Sequence, residues 1–339
     1  MKRFDKILLG HGSGGRLTQE LVRGLFLPAF KNPALSPLSD AALLPELPGG
    51  RPALTTDGFV VDPPVFPGGD LGCLSVYGTV NDLAVAGARP LWLTWALILE
   101  EGCDEELLAT ITRSAARAAE EAGVQIVAGD TKVVPKGKGD RVYAVTTGLG
   151  VSPPGRDLGD HRVTPGDVIL SSGPLGDHGA TVMACRHGLE GAGLRSDCAS
   201  LASLVEALLE SGAEVHTMHD PTRGGVGTIC HEVAEHAGAR IVLDEANLPI
   251  RSEVRATCEL LGLDPLHLAS EGRLLAFVVE RDAERALDVL CAHPLGQGAA
   301  PIGRVEAPMT AGAPVVIHTQ IGGERPVDLL SGANLPRIC

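Results

Sequence analysis

Short apolar segments alternate with helix-forming segments along nearly the whole chain, and this alternation limits the possible folds more than any other feature. Strands are predicted at 55–60, 91–99, 124–132, 141–149, 168–172, 240–244, 274–279, 301–305 and 314–319, and helices at 18–30, 74–86, 104–122, 201–211, 226–237, 251–261 and 283–291. A Pro- and Gly-containing stretch at 151–162 reads as a linker. We therefore predict an α/β or α+β fold with domains at 1–150 and 163–320 and a flexible tail at 321–339.

The composition argues against several classes of protein. The 339 residues are 44% hydrophobic, which is sufficient for two cores. Acidic residues outnumber basic ones 42 to 28, so a nucleic-acid surface, which needs clustered Lys and Arg, is not expected. No apolar run approaches the ~20 residues of a membrane-spanning helix, and the N-terminus lacks the apolar region and cleavage site of a signal peptide. We expect a cytoplasmic protein with no membrane partner.

The eight cysteines include no pair at the Cys-x-x-Cys spacing. A disulfide framework or a cysteine-based zinc site is therefore not predicted. Seven of the cysteines are interpreted as small buried hydrophobic residues. Only Cys339, the last residue, stands apart by its position.

The thiol of Cys339 has no later chain to bury it or hold it in place. Gly322 and Gly323 supply flexible links, and Pro336 removes a backbone donor, so a stable terminal helix is not expected. Fully extended, residues 325–339 would reach roughly 45 Å, at about 3.3 Å per residue. Two interpretations remain open: the tail delivers a chemical group, or it is a frayed end with an incidental cysteine.

Acidic side chains recur at strand ends and on one helix in the first half, at Asp40, Asp57, Asp82 and Asp130. Asn81 and Asp82 interrupt an otherwise apolar helix, which is unfavourable unless they meet a partner such as a cation. Each acid taken alone is explained as a turn residue or a helix N-cap. The recurrence of all four acids is harder to explain by turn and N-cap roles alone.

Two glycine-rich segments precede predicted helices: His-Gly-Ser-Gly-Gly at 11–15 and His-Asp-Pro-Thr-Arg-Gly-Gly-Val-Gly at 219–227. Backbone N–H groups at such positions bind phosphate oxygens. The first segment lacks the Gly-Lys-Ser/Thr ending of a P-loop, so a plain flexible loop is an equally good interpretation. Residues 230–236 resemble a zinc-protease helix, but their two histidines are five residues apart and point roughly 140° away from each other, so a zinc protease is rejected.

A set of motifs, in this order, resembles the AIR synthase-related (PurM-like) superfamily of ATP-dependent enzymes: GHGSGG, SDAA, TTDGF, GTVNDLA, GDTKV, the linker near 151–162, HDPTRGGV and SEGRL. The resemblance spans nearly the whole chain. The C-terminal PRIC is similar to the branch that makes the cyanide ligands of nickel–iron hydrogenases. In that branch the carbamoyltransferase HypF places a carbamoyl group on the terminal cysteine, and ATP then drives its dehydration to a thiocyanate.

The resemblance implies the following roles. The fold is a two-domain PurM-like fold, the cofactors are ATP and Mg²⁺, and the partners are HypF, an iron-carrying HypC–HypD complex and a second copy of the chain. Magnesium positions match Asp40, Asp82 and Asp220; nucleotide- or metal-facing positions match Gly12, Ser13, Gly14, Gly15, Asp57, Asn81, Asp130 and Thr131; catalytic positions match Cys339, Lys132 and Glu271.

Lys132 and Glu271 match positions proposed to move protons at the carbamoyl nitrogen. Unperturbed Lys and Glu side chains titrate near ~10.4 and ~4.3, so such a role depends on the environment of the site. Without the resemblance, a surface ion pair explains each of them as well.

Two other functions remain open. One is a small-molecule synthetase or kinase of the same superfamily, which would act on an aminoimidazole precursor, selenide or thiamine phosphate. The other is a scaffold that binds ATP and partner proteins without chemistry.

Overall fold

The structure is a computed structural model that describes residues 5–13, 15–39, 41–189, 193–309, 312–329 and 337–339. The predicted site residues Gly14 and Asp40 lie outside these ranges. Within the described residues, no helix is both long enough and apolar enough to cross a membrane.

The first half builds one four-stranded sheet and the helices that cover it. Its elements are α1 (Arg16–Leu21), a π-helical turn (Val22–Phe26), α2 (Leu27–Phe30), β1 (Arg51–Phe59), β2 (Val65–Phe66), β3 (Gly69–Asp70), α3 (Leu71–Val85), β4 (Arg89–Glu100), α4 (Glu105–Glu121), β5 (Gln125–Val134) and β6 (Val142–Ser152). The sheet order is β1-β6-β4-β5. β4 and β5 run parallel because α4 crosses between them, and the other two pairings are antiparallel.

Helix α3 lies at the centre of the molecule. It packs on the sheet and on α4, and it also contacts α6 and β8 of the second half. All but one of its residues are buried, which agrees with its nearly uniform apolar sequence. Asp70 begins the helix as its N-cap, and its carboxylate accepts hydrogen bonds from the N–H groups of Gly72 (2.7 Å) and Cys73 (3.2 Å).

The second half builds a seven-stranded sheet. Its elements are β7 (Val168–Ser171), α5 (Asp177–Arg186), α6 (Ala202–Glu210), β8 (Val215–His219), α7 (Gly225–Ala237), β9 (Arg240–Asp244), α8 (Ser252–Leu261), β10 (Leu275–Val278), α9 (Ala283–Ala292), β11 (Ala300–Glu306), β12 (Val315–His318) and β13 (Glu324–Pro326). The sheet order is β13-β12-β9-β11-β7-β10-β8. The prediction of an α/β or α+β fold in two units is confirmed.

Strand β8 was not predicted, because its sequence, Val-His-Thr-Met-His, shows no apolar alternation. The strand is nevertheless buried, and its polar side chains have partners. His216 Nδ1 lies 2.7 Å from an Asp167 oxygen, and Thr217 donates a hydrogen bond to Asp160 (2.9 Å). Satisfied polar groups of this kind permit a buried strand that has no hydrophobic signature.

Two other expectations differ from the structure. The range predicted for the flexible tail contains β13, which pairs with β12, and also the docked residues 337–339 described below. Among the seven cysteines expected to be buried, Cys291 is exposed and Cys185 and Cys198 are partly exposed.

Candidate active site

Four carboxyl groups from both halves of the chain share one region beside α3. Asp57 lies on β1, Asp82 on α3, Asp220 just after β8, and Glu271 in the turn before β10. Burial raises the pKa of Asp82 to about 8, with further increases from the neighbouring charges of Asp220 and Asp57. Burial also raises the pKa of Asp220, to about 6. The region therefore concentrates negative charge where water screens it poorly.

Glu271 is the most deeply buried of these acids, with 1% of its surface exposed. Its pKa is raised well above the usual value by burial first and then by Asp220, Asp197 and Asp57. Its backbone N–H donates to the Asp197 carboxylate at 3.0 Å, which fixes the turn. Its Oε1 atom has no hydrogen-bond partner among the described residues. A buried oxygen without a partner is rare in folded proteins, and here it is available to a substrate proton.

Asn81 links the two halves of the chain. It is fully buried, and its amide nitrogen donates to the carbonyl oxygens of Ala199 (3.0 Å) and Glu271 (3.3 Å). Its side-chain oxygen accepts from the N–H of Leu201 at 2.7 Å. In this structure the amide of Asn81 holds the turn of Glu271 against α3, and a nucleotide-binding role for it remains a prediction.

The end of the chain is docked in this region. Ile338 is 3% exposed, and its carbonyl oxygen lies 2.9 Å from His178 Nε2. The N–H of Val60 donates to the Cys339 carbonyl at 3.1 Å. The guanidinium of Arg337 donates to the carbonyl of Val60 at 3.0 Å and also pairs with Asp140. A frayed end is therefore excluded for residues 337–339 in this structure.

The sulfur of Cys339 lies in the field of the acid cluster. Its pKa is raised strongly, by burial first and then by Glu271, with smaller increases from Asp57 and Asp220 and an opposing decrease from Arg223. The group is therefore a neutral thiol in its docked position. Lys132 is not among the charged groups that shift the pKa of Cys339 most strongly.

His178 and Arg186 on α5 hold the docked end from the second half. Burial lowers the pKa of His178 to about 4, so the ring is neutral, and its Nδ1 atom lies 2.8 Å from the Ser196 hydroxyl. With Nδ1 accepting from Ser196, Nε2 donates to the Ile338 carbonyl. Arg186 donates to the carbonyl oxygens of Asp62 (2.5 Å) and Arg337.

We predict that Arg186→Ala speeds native-state alkylation of Cys339 about 10- to 100-fold. Loss of a charge-assisted hydrogen bond typically costs about 1.5–3 kcal/mol, which favours the undocked tail by that factor. The rate is read by mass spectrometry of quenched samples, with the exposed Cys291 as internal reference. Arg113→Ala on the surface of α4 is the matched control. An unchanged Cys339 rate in Arg186→Ala would show that this guanidinium does not hold the tail.

The remaining predicted residues lie together on another part of the first half. Lys132 and Asp130 form an ion pair of 2.6 Å on the edge strand β5, and both are largely exposed. This ion pair lowers the pKa of Asp130. The N–H of Thr131 also donates to Asp130, at 2.7 Å. Gly12 packs so closely on Val133 of β5 that a Cβ atom would not fit, and Ser13 and Gly15 follow it.

The structure thus brings Asp57, Asp82, Asp220, Glu271 and Cys339 together and places the Asp130–Lys132 pair and the glycine segment at β5. Three residues that act on the tail were not singled out from the sequence: His178, Arg186 and Arg223. Arg223 is inside the HDPTRGG motif, and His178 lies in the glycine-containing segment 173–179 at the start of α5, so both had a weak signal. Arg186 had none.

The acidic side chains of this region were compared with the ligands that a divalent cation needs. Among the described residues, no three His, Cys, Asp or Glu side chains are arranged to hold a metal by themselves. However, the half-buried Asp82 lies beside the buried Asp220, whose charge raises the pKa of Asp82. Carboxylate oxygens are the ligands Mg²⁺ prefers, and it commonly completes its shell with water and phosphate. The donor set therefore fits magnesium bound together with a phosphate ligand.

Comparison with known proteins shows the family of the chain. The model of the AIR synthase related protein N-terminal domain matches residues 38–152, and that of the C-terminal domain matches residues 164–312. The chain therefore belongs to the AIR synthase related proteins. The carbamoyl dehydratase HypE of Rhodobacter capsulatus is 48% identical over 341 residues, which cover 99% of each chain. Within that class, the chain belongs to the HypE family.

Two solved structures extend the comparison. The crystal structure of a hydrogenase maturation protein HypE in complex with ATP has a TM-score of 0.93 and 47% identity, and the match covers 98% of this chain and 99% of that one. A HypE–HypF complex has a TM-score of 0.79 and 43% identity, covering 93% of this chain and 100% of the other.

Proposed function

We propose that this chain is an ATP-dependent carbamoyl dehydratase that converts an S-carbamoyl group on its own Cys339 into S-cyanate. The product supplies the cyanide ligands of the iron in nickel–iron hydrogenases. The observation that carries this proposal is the docking of Cys339, with its thiol among Glu271, Asp57 and Asp220. Membership of a family whose curated members are named carbamoyl dehydratase, and one of which is solved with ATP, supports it.

The reaction requires the carbamoyl oxygen to leave, and hydroxide is a poor leaving group. Transfer of the γ-phosphoryl group of ATP to that oxygen lets it depart as phosphate. The nitrogen loses both hydrogens as the C≡N bond forms. Overall, the thiocarbamate and ATP give the thiocyanate, ADP, hydrogen phosphate and one proton. The main contributions of the protein are alignment and charge neutralisation.

Glu271 is assigned as the proton acceptor at the carbamoyl nitrogen. Among charged groups it acts most strongly on the Cys339 thiol, so a group carried on that sulfur lies within its field. Its raised pKa makes the ionised carboxylate a stronger base than an exposed glutamate. Lys132 is retained as a second candidate from the family resemblance, with its ammonium paired to Asp130 in this structure.

The ATP site is assigned to the acid cluster together with the glycine segment at β5. Asp40, Asp82 and Asp220 would hold magnesium, and Gly12, Ser13, Gly14, Gly15, Asp57, Asn81, Asp130 and Thr131 would face the nucleotide. A bound magnesium ion would offset the charge of the ATP phosphates. Repulsion of Asp82 by Asp220 and Asp57 supports this assignment, because an added cation removes it.

The partners follow from the same chemistry. The relative solved with HypF supports HypF as the donor of the carbamoyl group, and an iron-carrying HypC–HypD complex is the expected acceptor of the cyano group. A homodimer is supported by the uncovered face of the four-stranded sheet, where Leu54, Val145 and Ile98 share one side and are 72%, 39% and 37% exposed. We place the protein in the cytoplasm, with its domain bounds as predicted.

The proposed function is tested by measuring ATP consumption with and without a carbamoylated tail. We expect ADP to form in one equivalent per carbamoyl group and no sustained turnover when HypF or carbamoyl phosphate is omitted. Turnover of selenide, thiamine phosphate or an aminoimidazole precursor by a chain lacking residues 330–339 would instead favour a small-molecule synthetase or kinase. ATP binding without consumption on the carbamoylated protein would favour a scaffold.

A further inference from the structure

Two thiols meet where the halves of the chain join. Cys73 lies in the first turn of α3, and Cys198 lies in the irregular segment 193–201 that precedes α6. The two thiols lie close enough for each to shift the pKa of the other. Cys73 and Ile338 belong to one hydrophobic cluster, and Cys198 and Cys339 pack against it. The pair therefore bridges the N-terminal helix at the site and the C-terminal segment that packs on it.

The position of each sulfur is fixed by its own half. The N–H of Asp70 donates to Cys73 Sγ at 3.3 Å, and a Cβ atom on Gly69 would lie 3.1 Å from that sulfur. On the other side, the N–H of Cys198 donates to Ser196 Oγ at 3.1 Å, and the N–H of Ser196 donates to the Pro67 carbonyl at 2.9 Å. The turn at 67–69 therefore contacts both thiol-bearing segments and holds them in register.

The chemistry of the pair is asymmetric. The neighbouring Cys198 side chain lowers the pKa of Cys73, and the neighbouring Cys73 side chain, followed by burial, raises that of Cys198 well above its usual value. Cys73 is thus the thiolate-forming partner and Cys198 the proton-bearing one. A thiolate with a second thiol in contact is the arrangement from which hydroperoxides generate disulfides.

We propose that Cys73 and Cys198 are a redox couple that closes into a disulfide between the two halves of the chain. The Cys73 thiolate attacks hydrogen peroxide and takes up one oxygen as a sulfenic acid, and the other oxygen leaves as hydroxide, which the proton lost by Cys73 converts to water. The Cys198 sulfur then displaces that oxygen as a second water. In sum, two thiols and one hydrogen peroxide give one disulfide and two waters.

Closure has a consequence for the tail, and this part rests on the proposed function. Forming an S–S bond of about 2.05 Å pulls segment 193–201 toward α3. Ser196 of that segment is hydrogen-bonded to His178, which holds Ile338, and Asp197 holds the turn of Glu271. The disulfide is therefore expected to shift the docking of Cys339 and slow its chemistry.

The couple is tested on the full chain with hydrogen peroxide as the probe. Oxidised and dithiothreitol-reduced samples are alkylated in denaturant and mapped without reduction. Trypsin leaves Cys73 and Cys103 in one peptide because Arg51 and Arg89 precede proline, so a glutamate-directed protease is added to cut at Glu100 and Glu101. We expect a Cys73–Cys198 peptide pair that dithiothreitol removes, and none in Cys198→Ser.

Several results would overturn the couple. These are full alkylation of Cys73 and Cys198 after peroxide, or pairing of either one with another cysteine such as Cys103 or Cys339. Cys230→Ser, which removes a buried thiol in the second core, is the matched control and should still form the pair.

The effect on the tail is read separately, as the native alkylation rate of Cys339 relative to Cys291. It should change several-fold on oxidation in the wild type and not in Cys73→Ser. An equal rate in oxidised and reduced wild type would refute the regulatory part and leave the disulfide itself standing. Neither readout uses ATP or HypF, so a failure here is distinct from failure of the proposed function.

Discussion

Glu271→Gln is expected to slow dehydration of a carbamoylated Cys339 by about 10²- to 10⁴-fold, the usual loss when a positioned proton acceptor is removed. The amide keeps the size and most of the polarity of the side chain but cannot take the nitrogen proton. The rate is measured in a single turnover by quenching carbamoylated protein after addition of ATP and following the mass of the C-terminal peptide.

Carbamoylation by HypF should be unaffected in this variant, because that step precedes docking at Glu271. Glu106→Gln, an exposed position on α4, is the control and should behave as wild type. Dehydration by Glu271→Gln at the wild-type rate would remove Glu271 from the chemistry and leave Lys132 as the remaining candidate.

Asp82→Asn is expected to reduce magnesium-dependent ATP use by about 10²-fold or more, because it removes a carboxylate from the proposed cation site. In the absence of ATP and magnesium the same change should raise the melting temperature. The half-buried Asp82 carboxylate is held next to Asp220 and Asp57, and asparagine removes that repulsion. For a chain of this size, each kcal/mol gained in the free energy of unfolding raises the melting temperature by roughly 2–4 °C.

The raised pKa of Asp82 also predicts how the stability of the protein depends on pH. The pKa of Asp82 is raised to about 8 in the folded protein, so between its ordinary value and 8 the folded state binds more protons than the unfolded state. Stability of the ligand-free protein therefore falls as pH rises through this window. Asp82→Asn should lose less stability than wild type between pH 5 and about 8.

The comparison is made by thermal unfolding of both proteins across that range, with the exposed Asp288→Asn on α9 as control. A parallel pH dependence in wild type and Asp82→Asn would show that Asp82 is not part of a repulsive cluster. Retained magnesium-dependent ATP use would show that the carboxylate is structural.

The sequence was sufficient to predict most elements, because their apolar periodicity is strong. Helix α3 was predicted at 74–86 and occurs at Leu71–Val85. The difference at its start is due to the Asp70 cap, whose signal is a single acidic residue before apolar ones. Strand β8 was missed because its polar side chains are satisfied by residues distant in sequence, such as Asp167 and Asp160, and no local pattern reports such pairs.

The individual residues of the site could be predicted from the sequence, but their grouping in space could not. Asp57, Asp82, Asp220 and Glu271 were all proposed from motifs, yet their grouping depends on how the two halves pack through Asn81. The docking of the tail was not predictable. It depends on backbone groups of Val60 and Asp62 and on His178 and Arg186, which no sequence pattern links to the last three residues.

The most direct test is the mass of the peptide that ends in Cys339, measured after incubation with HypF, carbamoyl phosphate and ATP. A carbamoyl adduct on that residue should appear first and then lose one water to become a cyano adduct, and this chain should consume ATP only in the second step. Cys339→Ser should yield no thiocyanate. A cyano adduct on any other residue, or a carbamoyl group on Cys339 that ATP leaves unchanged, would contradict the assignment of Cys339 as the substrate carrier.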